Sequence, residues 1–504
     1  DPRSTFPSSS VPALSRVLER TGGDVASCCS SMAVSNCTPR LEAMSVAARA
    51  GFKPRSDFFS GQPVHETRIR KTLHCPSRFH KTRAAFNDFQ PSRSLVQTPH
   101  SGYHFPPVAG AWGRFFEGWY FRVAIPNGPS FAFMYSIEDP QGNSPLSGVG
   151  AQVMGPNDGY LLHHDPSVRS FWASTSDLRL GNCFDPASGL AAAPKQMTSE
   201  RSFFDNVRTG FQVSATSHTG QLSAERGGAG PGPPSTVDTC KWSYATETVY
   251  GWGGNSSQKQ LSTAGWLAAL PVFEPHWQVL MSKGLSTGWI EWGSQRFEFK
   301  DAPSYSEKNW GGAFPLKWFW AQCNSFPLQP TLAITVGGGR RELPMLPGAA
   351  ENVALIGIHW RDEFIGLTPW DGAIEWEVEP WGSWRVSGSN SKYRAEVVAT
   401  CQASDGTVLR APTAQSGLAG MCRDTFNGHL ELKIWTKSSA RAPGTLVLAA
   451  KSCTAALEVG GGPWWQGWSE TAEMSEPLRT ILAADLPFEA ALDSLPPMLR
   501  PPGL

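Results

Sequence analysis

From residue 98 onward, short runs of apolar and aromatic residues alternate with breaks of Gly, Pro and Asn. The run EGWYFRVAI is followed by PNGPS and then FAFMYSI, which predicts two strands joined by a tight Asn-Gly turn. In GWIEWGSQRFEF, Phe297 and Phe299 share one face and Arg296 and Glu298 share the other. Later runs such as TLAITV, NVALIGIHW and HLELKIWTK repeat this form. The succession predicts an all-β chain of antiparallel meanders that close into barrels.

Two stretches of the chain resemble each other. EGWYFRVAIPNGPSFAFMYSI and LKWFWAQCNSFPLQPTLAITV both run aromatic strand, turn, apolar strand. The similarity predicts two tandem barrels, over 97–302 and 303–504, although two unrelated hairpins would also give it. The second barrel is predicted to end in a short helix, SEPLRTILAADL, which Ser475 can cap. Residues 214–237 have little apolar content and are predicted to form a disordered loop.

Residues 1–96 differ in composition from the rest. Positions 1–95 hold 14 Lys and Arg against 7 Asp and Glu, are rich in Ser and contain no Trp. A basic, serine-rich and acid-poor leader is typical of an organelle transit peptide. The alternative is an ordinary disordered tail. In either case we expect the folded part of the chain to begin near residue 97.

The overall composition excludes some classes of function. The formal net charge is +0, so no global field attracts nucleic acid. No apolar run approaches the roughly 20 residues that span a bilayer, so we predict no transmembrane segment. The histidines form no HxH or HExxH pattern, and we predict no metal site. The GGGR at 337–340 lacks the setting of a phosphate loop. The 21 Trp residues suit either a strand-rich core or a site for sugars, lipids or ring systems.

Candidate chemistry lies where ionisable residues interrupt aromatic sequence. A carboxyl group in an apolar pocket has a raised pKa and can act as an acid near neutral pH. Surrounding aromatic rings would stabilise a developing cation. An acid in an aromatic box could protonate an alkene or a glycosidic oxygen. The candidates are Glu117, Glu274, His276, Glu291 and Glu307.

Each candidate also has a purely structural interpretation. Glu291 could pair with Arg296 on a solvent-facing strand, and Glu117 could bond the backbone where a strand starts. His276 could be a hydrogen-bonded core histidine. Glu307 and Lys308 could be an exposed turn pair, worth less than about 1 kcal/mol. The pattern alone does not choose between these interpretations.

The chain from about 98 to 504 resembles the tocopherol cyclases of plants and algae. The stretches that carry the resemblance include TPHSGYHF, RFFEGWYFRV, FMYSIEDP, STAGWLAALPVFEPHWQ and GLSTGWIEWGSQRFEFKDAPSYSEKNWGG. The resemblance implies an enzyme that cyclises a prenylated benzoquinol, such as 2,3-dimethyl-6-phytylbenzoquinol, to the chromanol ring of a tocopherol. Plastoquinol would give plastochromanol by the same route. It further implies no cofactor, a plastid location, and a peripheral lipid surface at plastoglobules or thylakoids.

A second, more distant resemblance concerns YSEKNWG at 305–311. It is similar to the Tyr-x-acid-x-x-Trp-Gly pattern of carotenoid hydratases, which implies two tandem lipocalin-like barrels. Matched by position, Glu307 is the expected proton donor and Tyr305 its partner, whereas Lys308 stands where those enzymes carry His. We expect His276 to take that place, orienting the acid or accepting the phenol proton. The expected substrate-binding residues are Glu117, Trp119, Tyr120, Trp289, Glu291, Asp301, Asn309, Trp310 and Trp318.

Two other functions stay open on the sequence. The same barrels could carry a lipid or carotenoid without chemistry, or they could hydrate an isoprenoid double bond. A tryptophan-rich glycosidase or lectin is possible only if the resemblance is set aside. If Glu307 is not the acid, Glu291, Asp301 and Glu274 are the next candidates.

Overall fold

The computed structural model describes residues 98–106, 114–187, 194–224, 234–253, 260–265, 268, 275–342, 350–462, 464 and 466–474. The predicted leader over 1–96 and the predicted helix that begins at Ser475 lie outside these residues. The described part of the chain is built almost wholly of antiparallel strands in two sheets. The prediction of an all-β chain is therefore confirmed.

The first sheet contains eleven strands within the described residues, with one short 3-10 helix and one α-helix between them. The 3-10 helix spans Pro156–Asp158, and the α-helix, α1, spans Glu200–Asn206. No helix in the described ranges has the length and apolar character needed to cross a membrane. The strands are Phe116–Ala124 (β1), Ser130–Glu138 (β2), Gly148–Met154 (β3), Tyr160–Asp165 (β4), Trp172–Ala173 (β5), Arg179–Pro186 (β6), Val207–Ser214 (β7), Ser217–Ser223 (β8), Thr239–Tyr250 (β9), His276–Trp292 (β10) and Gln295–Gly311 (β11).

The second sheet repeats the plan of the first. In both, the first strand pairs with the last long strand, and the remaining strands follow mostly in chain order. The strands are Lys317–Cys323 (β12), Ala333–Glu342 (β13), Ala350–Trp360 (β14), Glu363–Leu367 (β15), Ala373–Val378 (β16), Ser383–Ser389 (β17), Tyr393–Thr400 (β18), Thr407–Thr413 (β19), Gly417–Thr436 (β20), Thr445–Gly461 (β21) and Trp468–Ala472 (β22).

The two similar sequence stretches occupy equivalent places in the two sheets. β1 and β2 form the predicted hairpin, and Asn127 takes the left-handed backbone conformation, with φ of 56°, in its turn. β12 and β13 form the corresponding hairpin of the second sheet. The predicted domain boundary at residue 303 lies inside β11, because this 17-residue strand completes the first sheet before the second begins at Lys317.

The first sheet curls so that its edge strand β4 approaches the interior strand β8. His163 Nδ1 on β4 lies 2.9 Å from the carbonyl oxygen of Ser223, at the end of β8. β8 corrects one prediction, because it lies within the segment 214–237 that we expected to be a disordered loop. Its residues His218 and Leu222 are buried against the core, and pairing with β7 and β9 satisfies its backbone. Residues 225–233 of that segment lie outside the described residues.

Three large apolar cores and one small cluster are present among the described residues. One fills the first sheet around Phe133, Phe211 and Trp242, and one fills the second around Ile356 and Trp384. A third lies between the two sheets and combines residues of both, among them Tyr305, Trp318 and Trp320. The sheets are therefore packed on each other through a continuous apolar and aromatic layer.

Buried polar contacts fix the two sheets together. The carboxylate of Asp158, after β3, accepts hydrogen bonds from Gly406 N at 2.6 Å, Thr425 Oγ1 at 2.8 Å and Phe426 N at 3.2 Å in the second sheet. Arg122 on β1 donates to Gln322 Oε1 on β12 at 2.7 Å. Because unpaired polar groups would be costly at this depth, these bonds specify one position of the sheets.

Candidate active site

The motif at 305–311 forms the end of β11, and strand alternation divides it between two environments. Tyr305, Glu307 and Asn309 point one way, and Lys308 and Trp310 point the other. Glu307 lies opposite Tyr120 on β1, and both belong to the layer between the sheets. Lys308 lies opposite Trp119, which belongs to the core of the first sheet.

A cavity of about 400 Å³ lies between the sheets, next to Glu307. That volume is within the range of small-molecule sites. The first sheet contributes His276, Trp277, Glu307 and Asn309 to its wall. The second sheet contributes Trp318, Phe319, Trp320, Gly337, Gly338, Gly339 and Glu458. The wall is mainly apolar, with six Trp and Phe rings, and it carries four carboxyl groups, those of Glu307, Glu351, Glu458 and Glu473.

Glu307 is held by two hydrogen bonds to one of its oxygens. Tyr305 OH donates to Oε2 at 2.6 Å, and Trp277 Nε1 donates to the same atom at 2.8 Å. No described Lys, Arg or His forms an ion pair with Glu307. Burial raises the pKa of Glu307 to about 7, against the opposing effect of the two hydrogen bonds, and nearby Glu458 raises it further. The group is therefore able to hold its proton near neutral pH.

His276 also lines the cavity, and its ring stacks on that of Trp310, with centroids 4.8 Å apart. Burial, and then the charge of Arg341, lower the pKa of His276 to about 4. The imidazole is therefore neutral near pH 7. The structure thus brings together five of the predicted site residues, Tyr305, Glu307, His276, Asn309 and Trp318.

The sequence analysis missed several cavity residues, among them Trp277, Trp320 and Glu458. Glu458 lies on β21, opposite Trp320 of β12, and accepts a close hydrogen bond from Trp318 Nε1. Burial raises the pKa of Glu458 to about 7. A signal was present in the sequence, because Glu458 is the single acid in the apolar run TLVLAAKSCTAALEV.

Three consecutive glycines on β13 leave the space that the cavity occupies. A Cβ at Gly337 would lie 2.8 Å from the Trp277 ring, and one at Gly338 would lie 2.4 Å from Phe319. The GGGR stretch therefore allows the rings of Trp277 and Phe319 to approach this strand closely.

The other face of β11 carries a buried ion pair. Lys308 and Glu117 contact each other closely, and the side chain of each is fully buried. Lys308 Nζ also donates to the carbonyl of Gly102 at 2.6 Å, and His104 N donates to Glu117 at 2.9 Å. Burial raises the pKa of Glu117 and lowers that of Lys308, whereas their mutual attraction opposes both shifts. This pair belongs to the first core and does not line the cavity.

Several other predicted substrate-binding residues are also placed away from the cavity wall. Trp119 is packed in the first core, and Trp310 stacks between His104 and His276. Glu291 is 37% exposed and pairs with Arg296 at 2.6 Å, which is the structural interpretation. Trp289 lies under the same Arg296, and Asp301 is exposed.

Tyr120 lies beside the site, against the rings of Tyr305 and Trp320. Glu274 lies outside the described residues.

Arg341 and Glu351 form a close ion pair on the cavity wall. A second cavity, of about 410 Å³, shares Thr263 and Trp370 with the first and is also lined by Trp252, Ile356 and Phe364. Within the described ranges, no group of three or more His, Cys, Asp or Glu is placed to hold a metal ion.

The chain is similar in sequence to known proteins of one family. A family model described as tocopherol cyclase-like matches residues 113–461. The chain is 45% identical over 428 residues to the chloroplastic tocopherol cyclase of Zea mays, covering 82% of this chain and 88% of that protein. It is 44% identical, with the same coverage, to a probable chloroplastic tocopherol cyclase of Oryza sativa subsp. japonica.

Among solved structures, a crystal structure of CghA with Sch210972 matches with a TM-score of 0.41 and 11% identity, covering 73% of this chain and 97% of that one. The family model spans every described strand from β1 to β21 and the cavity residues from Thr263 to Glu458. The chain therefore belongs to the tocopherol cyclase-like family.

Proposed function

We propose that this protein is a tocopherol cyclase, which converts phytylbenzoquinols such as 2,3-dimethyl-6-phytylbenzoquinol to the chromanol ring of tocopherols. The proposal depends on the position of Glu307. Its carboxyl group is buried on the wall of a cavity lined by aromatic rings, and no described cation pairs with it. Family membership and the names of the maize and rice relatives support the same reaction.

Glu307 is the proton donor in the proposed mechanism. Tyr305 and Trp277 both donate to Oε2, so the proton of the neutral acid resides on Oε1. Oε1 gives this proton to the double bond of the prenyl tail, and cationic character develops at the tertiary carbon. The phenol oxygen bonds to that carbon and loses its proton. Substrate and product are isomers, so the reaction requires no oxidant or reductant.

The cavity wall supports this chemistry in two ways. The rings of Trp277, Trp318 and Trp320 present π-faces and dipoles that stabilise a nearby cation. The same rings exclude water, which would otherwise capture the cation and give a tertiary alcohol. His276 and Asn309 remain candidates for contacts with the quinol ring, because both lie on the wall beside Glu307.

The length of the substrate assigns a role to the second cavity. A phytyl tail continues well beyond the reacting double bond, and Thr263 and Trp370 border both cavities. The tail therefore extends from the first cavity into the second, against Trp252, Ile356 and Phe364. Plastoquinol would enter by the same route. So apolar a substrate is delivered from a lipid surface, and we place the protein in the plastid, at plastoglobules.

The test incubates purified protein with 2,3-dimethyl-6-phytylbenzoquinol in lipid droplets under anaerobic conditions and separates the products by chromatography. We expect the chromanol, and we expect Glu307→Gln to lower its formation at least 10²-fold. Glu298→Gln, on the exposed part of the same strand, is the matched control. Bound but unchanged quinol would indicate a carrier, and a tertiary alcohol would indicate a hydratase. Near-normal turnover in Glu307→Gln would assign the acid elsewhere.

A further inference from the structure

Three carboxyl groups besides Glu307 border the cavity. Glu351 pairs with Arg341 and Glu473 is exposed, whereas the proton donor alone does not explain Glu458. Glu458 comes from the second sheet, whereas Glu307 comes from the first, and both border the same space. Each accepts a hydrogen bond from a tryptophan indole of that wall, Trp277 for Glu307 and Trp318 for Glu458. Among the described residues neither forms an ion pair, unlike Glu117 and Glu351. Two carboxyl groups without cations share one apolar site.

The proposed cyclisation needs both an acid and a base. One proton is added to the alkene carbon, the C–O bond forms, and one proton leaves the phenol oxygen. We propose that Glu458 is a second catalytic residue and accepts the phenol proton, while Glu307 supplies the proton to the double bond. This inference rests on the proposed function. The cycle closes when the proton gained by Glu458 returns to Glu307 after the product leaves.

Other groups at the site suit the role of base less well. His276 is neutral, but its pKa of about 4 makes it a much weaker base than a carboxylate with a pKa of about 7. Tyr305 keeps its proton, because burial raises its pKa well above the usual value, and a neutral phenol is a much weaker base than a carboxylate. An ionised Glu458 can accept a proton, because its indole partner is only a donor.

The charges around Glu458 favour one shared proton. Carboxyl groups that share a low-dielectric site rarely ionise together, so near neutral pH one is protonated and the other ionised. Three more titratable groups face Glu458, namely Asp424 opposite it on β20, Cys422 on the same strand and Tyr120 on β1. Burial is the main cause that raises the pKa of all three. Burial therefore disfavours the charged form of each of these three groups.

The experiment compares pH–rate profiles of Glu458→Gln, Glu458→Asp and Glu307→Gln with the wild type. Wild-type kcat/KM should be bell-shaped around pH 7, because it needs one acid and one base. Glu458→Gln should reduce kcat by 10²-fold or more and lose the acidic limb, whereas Glu307→Gln should lose the basic limb. Glu458→Asp should keep the bell at a reduced rate. The matched control is Glu431→Gln. Glu431 is an exposed residue of β20 that pairs with Lys451, and its replacement should leave the rate and the pH profile unchanged.

A substrate analogue separates the base from a structural role. A quinol with a ring halogen has a more acidic phenol and depends less on a base, so Glu458→Gln should recover at least tenfold with it and Glu307→Gln should not. Two results for Glu458→Gln would overturn the inference. One is a lower rate with a bell-shaped pH–rate profile like that of the wild type and no recovery with the halogenated quinol. The other is a rate within threefold of the wild type. If Glu458→Gln does not fold, Glu458→Asp decides by the same profile and analogue. Failure of the wild type to cyclise the quinol would instead overturn the proposed function.

Discussion

Glu307 and Lys308 are neighbours in the chain, yet their side chains lie in different compartments. Glu307 borders the cavity between the sheets, whereas Lys308 is buried beside Trp119 in the core of the first sheet and pairs with Glu117. The separation follows from the alternation of β11. It assigns chemistry to one residue of the pair and stability to the other.

Lys308→Met should therefore destabilise the fold without removing the acid. It leaves Glu117 buried without its cation, which costs about 3–5 kcal/mol of unfolding free energy. The double variant Glu117→Gln/Lys308→Met should recover much of this loss, because it removes both charges. Urea unfolding measures both effects. A stable Lys308→Met protein that has lost turnover would contradict this assignment and give Lys308 a part in the reaction.

Glu307→Gln should change how stability depends on pH. The pKa of Glu307 is raised from 4.5 to about 7, so the folded state binds its proton more tightly than the unfolded state. The contribution of this group to stability therefore falls as pH rises from about 4.5 to 7. The variant lacks this loss. Its free energy of unfolding should exceed that of the wild type by about 2–3 kcal/mol at pH 8 and should equal it near pH 4. Parallel pH–stability curves would show that Glu307 ionises normally.

Gly337→Ala should weaken the acid from a distance. Its Cβ would meet the Trp277 ring at 2.8 Å, so the indole has to move and its hydrogen bond to Glu307 is lost. One such bond corresponds to roughly tenfold in kcat. Because the bond lowers the pKa of Glu307, its loss should also shift the basic limb of the pH–rate profile to higher pH. Gly339→Ala, whose Cβ comes no closer than 3.4 Å to Pro315, should have a smaller effect.

Gly366→Val should discriminate between substrates by tail length. Gly366 lines the second cavity, and a Cβ there already lies 3.2 Å from Phe364, so the valine methyls occupy space assigned to the tail. We expect KM for the phytyl substrate to rise about fivefold or more, as a loss of about 1 kcal/mol of apolar contact implies. A quinol with a five-carbon prenyl tail should show no change. Equal effects on both substrates would place the tail elsewhere.

The sequence predicted the strands better than their partners. The hairpin of β1 and β2 and the repeat of its form at β12 and β13 followed from local pattern, because alternation and turn residues are local signals. Alternation along β11 also places Tyr305, Glu307 and Asn309 on one face. It could not show which face meets the second sheet, so Trp119 and Glu117 were expected at the site and lie in a core instead.

Glu458 was missed for a related reason. It reaches Glu307 only through the packing of two sheets, and its position in β21 is far from the motif in sequence. Trp289 and Glu291 were expected at the site but do not line it. Their aromatic sequence context resembled a site, yet both lie on the outer face of β10 beside the exposed Arg296. Burial between the two sheets depends on tertiary packing, which the residue pattern of one strand does not encode.

Asp158 carries a consequence for engineering this protein. It does not border the cavity, yet its bonds to Gly406, Thr425 and Phe426 fix one sheet on the other. The proposed acid, Glu307, comes from one sheet and the proposed base, Glu458, comes from the other. The distance between them therefore depends on the contacts that Asp158 makes outside the cavity. A mutant library restricted to the cavity wall would therefore leave out residues that control its width, and Asp158 is the first position to add.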